Sequence, residues 1–174
     1  MLPDNDFNFK YLGQIEIKPY LKNLEQLDWD KYTYRQDAHE VHAQTKTVPL
    51  IWDEKFRKVA FWDDLILFQD LIHEIHNILN NSLAEGEIKT AILINLPQKS
   101  SIKRHIDFGE NFKKNHRIHI PLQTNEKCIF EVNFEELNME KGSIWEINNS
   151  NKSHSVTNNG KNDRIHLLID FFKF

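Results

Sequence analysis

The chain has 174 residues, which suits one compact domain with a real core and leaves little room for two. Hydrophobic residues make up 40% and aromatics 11%, which excludes a disordered tail; a formal net charge of −4 excludes a global basic field for nucleic acid or anionic lipid. No apolar run approaches a membrane span, the acid-bearing start has no signal core, and the single cysteine, Cys128, cannot form an internal disulfide, so a cytoplasmic protein without membrane or nucleic-acid partners is expected.

Along the chain, residues 1–89 read as mixed strands and helix packed on a β core formed by residues 90–174, the whole making one domain. Gln14–Lys18 alternates polar and apolar residues, as a half-buried strand does, and Thr45–Trp52 is a second strand candidate. From Asp63, apolar residues recur every three or four positions through Leu79, which predicts an amphipathic helix ending near Glu85 and Gly86. Short strands are expected at Thr90–Leu96, His116–Gln123, Lys127–Asn133, Ser143–Ile147, His154–Thr157 and Arg164–Phe172, separated by Gly, Asn and Asp. That spacing predicts a mainly β fold with flanking helices, an antiparallel sandwich or small barrel, with Trp145 as a filler and Cys128 as a buried thiol.

Two strand candidates carry polar residues in phase. In Arg117-Ile118-His119-Ile120 and Arg164-Ile165-His166-Leu167, the Arg and His share one face and the aliphatics the other. Buried charges are costly without partners, so an inward Arg/His face needs a ligand or a counter-charge.

The sequence contains one His-x-Asp, His105-Ile106-Asp107, which alone means little, since about one His-x-acid pattern is expected by chance in a chain of this composition. Its merit is geometric: residues two apart on a strand point the same way, so an imidazole and a carboxylate can grip one ion. A second imidazole would complete a facial triad with open positions, the arrangement suited to Fe(II). His154, at a turn running into a strand, is the best candidate. Arg164 follows it at the start of the last strand, where a guanidinium suits the far carboxylate of a dianionic co-substrate such as 2-oxoglutarate.

The ordered set Arg104-His105-Ile106-Asp107-Phe108-Gly109, Arg117-Ile118-His119-Ile120-Pro121-Leu122, His154-Ser155-Val156-Thr157-Asn158 and Arg164 through Phe172 resembles the aspartyl/asparaginyl β-hydroxylase family, which includes bacterial free-proline hydroxylases. The resemblance implies a double-stranded β-helix, the jelly-roll or cupin-like barrel, together with Fe(II) and 2-oxoglutarate. By motif position it implies that His105, Asp107 and His154 bind the metal, and that Arg164, Arg117 and His119 contact the co-substrate. Some animal members lack the carboxylate ligand; this chain keeps one at Asp107. The implied activity is a dioxygenase that uses O2 to hydroxylate an amino acid or an amino-acid residue in a peptide. A free L-proline hydroxylase is the near alternative, and a cupin-like metal-binding module without oxygenase chemistry is the distant one.

Other patterns point elsewhere. His39-Glu40-Val41-His42 and His73-Glu74-Ile75-His76 space their histidines three apart, where zincin chemistry needs four, so neither is expected to bind metal. The polar segment Gly109–Asn115 is expected to form a mobile lid near the substrate, with Lys113 and Lys114 attracting a carboxylate.

Overall fold

A computed structural model describes residues 6–38, 40–54, 58–107, 114–149 and 151–174. Eleven strands lie among them: β1 (Phe9–Gln14), β2 (Lys46–Glu54), β3 (Lys58–Phe61), β4 (Gly86–Leu96), β5 (Ser100–His105), β6 (Asn115–Gln123), β7 (Cys128–Val132), β8 (Glu135–Leu137), β9 (Ser143–Ile147), β10 (His154–Asn158) and β11 (Arg164–Lys173). Helices α1 (Leu21–Leu24), α2 (Tyr34–Ala38) and α3 (Gln69–Ser82) and three short 3-10 turns complete the described elements. Among the described residues, no helix is long and apolar enough to cross a membrane.

The strands form a seven-stranded antiparallel sheet, in the order β1-β9-β6-β11-β4-β2-β3, and a four-stranded one, β5-β10-β7-β8. The mainly β architecture with flanking helices expected from the sequence is therefore present, and the two facing sheets make the double-stranded β-helix. The central strand β11 buries eight successive residues, so both of its faces are covered. Its odd positions Ile165, Leu167, Ile169 and Phe171 join a core with Ile118 and Ile120 of β6 and Leu71, Ile75 and Leu79 of α3. Each fully buried aliphatic side chain there contributes about 2 kcal/mol. The even positions of β11 turn the other way, toward the smaller sheet, and these are Arg164, His166, Leu168 and Asp170. β6 repeats the division, with Arg117 and His119 alternating with buried isoleucines. A second apolar cluster, with Leu96, Ile102, Phe130 and Val156, fills the closed end of the space between the sheets.

Three expectations need correction. The alternation at Gln14–Lys18 is real, since Ile15 and Ile17 are buried, but the strand occupies Phe9–Gln14 and Pro19 opens a 3-10 turn, because proline offers no N–H to a sheet. The helix expected from Asp63 is two pieces, a 3-10 turn at Asp63–Leu67 and α3 from Gln69, broken at Phe68, which leaves helical geometry and is fully buried. β5 was not anticipated as a strand, because an edge strand that buries one residue, Ile102, has little apolar periodicity. Trp145 is half-buried and packs against Phe9, Tyr11 and the apolar cluster between the sheets. Cys128 is buried, as expected.

Candidate metal centre

Sheet pairing brings the sequence-distant histidines together. β5 and β10 are antiparallel neighbours, and His105, the last residue of β5, is in register with His154, the first residue of β10. A register shift between His154 and Val156 re-aims the start of β10. Asp107 follows two residues after His105, and one ligand atom from each of the three lies within 4.8 Å of the others. His105 Nε2 is 3.6 Å from Asp107 Oδ1, and His154 Nε2 is 3.8 Å from Asp107 Oδ2.

The surroundings prepare these groups for a cation. His105 Nδ1 donates to the Lys103 carbonyl at 2.7 Å, which leaves the Nε2 lone pair facing Asp107. Burial pushes the His154 imidazole down to about 4, helped by His105 and Arg117 and opposed by Asp107. His154 is therefore neutral near pH 7, the form that ligates metal. Burial alone would raise the Asp107 carboxyl, but Arg117, His154, Asn149 and His105 together hold it below its usual value. Its Oδ2 accepts from Asn149 Nδ2 at 2.6 Å and Arg117 Nη1 at 2.7 Å. Arg117 is fixed in turn, with Nε and Nη2 donating to Asp170 at 2.8 and 2.9 Å.

The triad lines a small cleft that is partly open to solvent. His119 and His166 stand on its floor with rings stacked 5.1 Å apart, both held well below the usual imidazole range by burial and by Arg164. Arg164, 1% exposed, touches His166 Nδ1 through Nη1 and stands 5.7 Å from the Phe130 ring. Its Nη2 and both ring nitrogens of His119 are buried and have no hydrogen-bond partner among the described residues. Buried polar atoms are nearly always satisfied, so orphaned groups converging on one cleft fit a polar, anionic occupant such as a dicarboxylate. Two imidazoles and one carboxylate likewise fit a divalent metal.

His105, Asp107, His154, Arg117 and His119 thus all line this one cleft, while Arg164 stands behind it at the other end of β11, in contact with His166. The sequence reading missed Asn149, Asp170 and two residues of the first half, Arg35 and His42, which wall the cleft. Asp170 pairs with Arg117, one register step across from it on the neighbouring strand. The His42 ring lies 5.6 Å from that of His105, while His39 is outside the described residues. His73 and His76 sit on α3, away from the cleft, where His76 Nε2 bonds the Gly86 carbonyl at 2.9 Å. Of the expected lid only Lys114 and Asn115 are among the described residues.

Comparison with known proteins points the same way. The family described as Aspartyl/Asparaginyl beta-hydroxylase matches over residues 14–173. The fold is similar to an oxidoreductase of the 2OG-Fe(II) oxygenase family from Burkholderia pseudomallei, at 14% identity and TM-score 0.62 over 94% of this chain and 93% of that one. It is also similar to a Pseudomonas putida prolyl-4-hydroxylase, at 12% identity and TM-score 0.58, covering 97% and 94%. A third likeness is to a prolyl hydroxylase from Trichoplax adhaerens in complex with a hypoxia inducible factor oxygen degradation domain peptide, at 11% identity and TM-score 0.60, covering 97% and 84%.

Proposed function

This chain belongs to the aspartyl/asparaginyl β-hydroxylase family, and on that premise we propose that His105, Asp107 and His154 hold one Fe(II) ion and that Arg164 anchors 2-oxoglutarate. Membership makes it a hydroxylating oxygenase that uses Fe(II) and 2-oxoglutarate. The observation that carries the assignment of residues is the convergence of the three ligand atoms within 4.8 Å. The bound iron and co-substrate would supply the oxidising chemistry, turning 2-oxoglutarate and O2 into succinate, CO2 and a hydroxylated product.

The chain's own residues do the positioning. Arg164 offers an unsatisfied Nη2 behind His166, and His119, stacked on His166, offers two unsatisfied ring nitrogens, groups suited to one end of a dicarboxylate. Arg117, which the motif pattern grouped with His119, donates to Asp107 and Asp170, so we assign it to orienting the metal carboxylate. Asn149 and Arg117 occupy Asp107 Oδ2, which leaves Oδ1 toward the metal. Phe130, Ile94 and Leu168 supply apolar walls that limit water. Because Arg35 and His42 wall a cleft built by the second half, we read both halves as one functional domain. The substrate is an amino acid or an amino-acid residue in a peptide; prolyl substrates, which two structural relatives name, stay within this reading.

Anaerobic loading with Fe(II) and 2-oxoglutarate, then exposure to O2, tests the proposal. Wild type should release succinate slowly without substrate, and His105→Ala or Asp107→Ala should abolish that release. Retained turnover in either variant would remove that residue from the centre.

A further inference from the structure

Arg35 is on α2, outside the four sequence motifs that carry the resemblance, though within the stretch matched by the family. Its neighbour Tyr34 points outward, 74% exposed, while Arg35 lines the cleft together with Asp107, His119 and His166. Its Nη1 is buried and has no hydrogen-bond partner. Burial first, and then the like charge of Arg117, push its guanidinium down to about 10, against the pull of Asp107 and Asp170. Asp107 and Asp170 attract this cation through space, but no group among the described residues bonds its Nη1, and an unbonded buried donor is costly.

Charge counting sharpens the point. Among the described residues, the guanidiniums at and behind the cleft are Arg35, Arg117 and Arg164, and the carboxylates are Asp107 and Asp170. Both carboxylates already accept from Arg117. Three positive and two negative groups leave +1. Adding Fe(II) at +2 and 2-oxoglutarate at −2 leaves +1 again. Arg164, to which the co-substrate is assigned, has an orphaned Nη2 behind His166, and Arg35 has a second orphaned Nη on the cleft wall. Two separate unsatisfied guanidinium ends call for two carboxylates, and the co-substrate's far end occupies one.

We propose that Arg35 is the anchor for a carboxylate on the substrate, and so the residue that selects an acidic substrate for this oxygenase. The assignment rests on the oxygenase reading above, because that reading gives Arg164 to the co-substrate. The carboxylate has two possible origins, the α-carboxylate of a free or N-blocked amino acid and the side chain of an Asp or Glu residue. Both would make the same charge-assisted, bidentate contact with a guanidinium.

The test is binding, with redox-inert Zn(II) in place of iron and 2-oxoglutarate present, read by calorimetry. The probes are L-proline, L-aspartate and L-glutamate, their N-acetyl forms, and the N-acetyl α-amides of all three. The aspartate and glutamate α-amides keep only a side-chain carboxylate; the proline α-amide keeps none. At least one carboxylate probe should bind wild type, and Arg35→Gln should weaken it by about tenfold or more, the scale of one lost charge-assisted contact. Arg35→Lys should recover part of that loss, and the proline α-amide should be indifferent to the substitution. Which probes respond identifies the origin of the carboxylate. The 2-oxoglutarate titration of zinc-loaded wild type is read separately: no binding there overturns the oxygenase reading. Sound 2-oxoglutarate binding overturns the Arg35 assignment alone in three cases: carboxylate probes bind wild type and Arg35→Gln equally, no carboxylate probe binds, or Arg35→Gln weakens 2-oxoglutarate instead of the probes.

Discussion

Asp107 is oriented by a chain of contacts two residues deep, in which Asp170 grips Arg117 by two nitrogens and Arg117 grips Asp107 by the third. Groups that orient a metal ligand typically change metal affinity by about ten- to a hundredfold when removed. Asp170→Asn should therefore weaken Co(II) or Zn(II) binding by about tenfold, measured by metal titration, with little change in 2-oxoglutarate affinity once metal is saturating. Equal metal affinity in wild type and variant would reduce Asp170 to a structural partner. The proposed ligands were legible in sequence because metal chemistry demands particular residue types at particular spacings, a demand His105, Asp107 and His154 meet; Arg164 was legible as a guanidinium suited to a dianion. Asn149, Asp170 and Arg35 do not, since an amide, a carboxylate or a guanidinium is ordinary anywhere on a surface. Only the register of β6 against β11 reveals that Arg117 and Asp170 are opposite one another.

At the scale of elements, β6, β7, β9, β10 and β11 lie within a residue or two of their expected bounds, because each alternates and is bounded by turn residues. α3 was visible from its apolar stripe, and the stripe explains why it exists: Leu71, Ile75 and Leu79 are fully buried against the larger sheet. Ile75→Ala should cost about 2–5 kcal/mol by removing buried methyl groups and leaving a cavity, measured by urea unfolding. A loss below about 1 kcal/mol would mean that α3 collapses onto the gap or packs loosely. The break at Phe68 was invisible because the apolar spacing runs through it unchanged; its ring is required inside the core, and the backbone gives way. β5 was hidden for the opposite reason, since its sequence Ser-Ser-Ile-Lys-Arg-His shows a single buried residue.

The whole molecule concentrates neutral imidazoles in its interior. His119, His154 and His166 are all depressed, chiefly by burial. In the unfolded chain each would titrate near 6.5, so below that pH the unfolded state binds protons that the folded state refuses. Their contribution is complete above about 6.5 and declines as pH falls toward the folded values, about 4 for His154. Tm of the metal-free protein should accordingly drop between pH 7.5 and 5, and a flat profile across that interval would contradict the burial of these rings as neutral groups. A set of inward polar residues was foreseeable from the phase of Arg117, His119, Arg164 and His166; their mutual distances were not, because they depend on how two sheets face each other.

β5 is the outermost strand of the smaller sheet, and among the described residues its ladder partner is β10 alone. On its far edge the Gln44 side chain accepts from the Ser101 N–H at 2.9 Å. Since His105 closes β5 and His154 opens β10, an ion shared by them would act as a clasp on a hem, and stripping it would let that border fray. Amide hydrogen exchange at Ile102–His105 should be slowed by Zn(II) more than exchange in β11, and equal slowing in both would show that the ion tightens the molecule generally. Iron supply would then govern how long the folded chain survives in a cell as well as how fast it turns over.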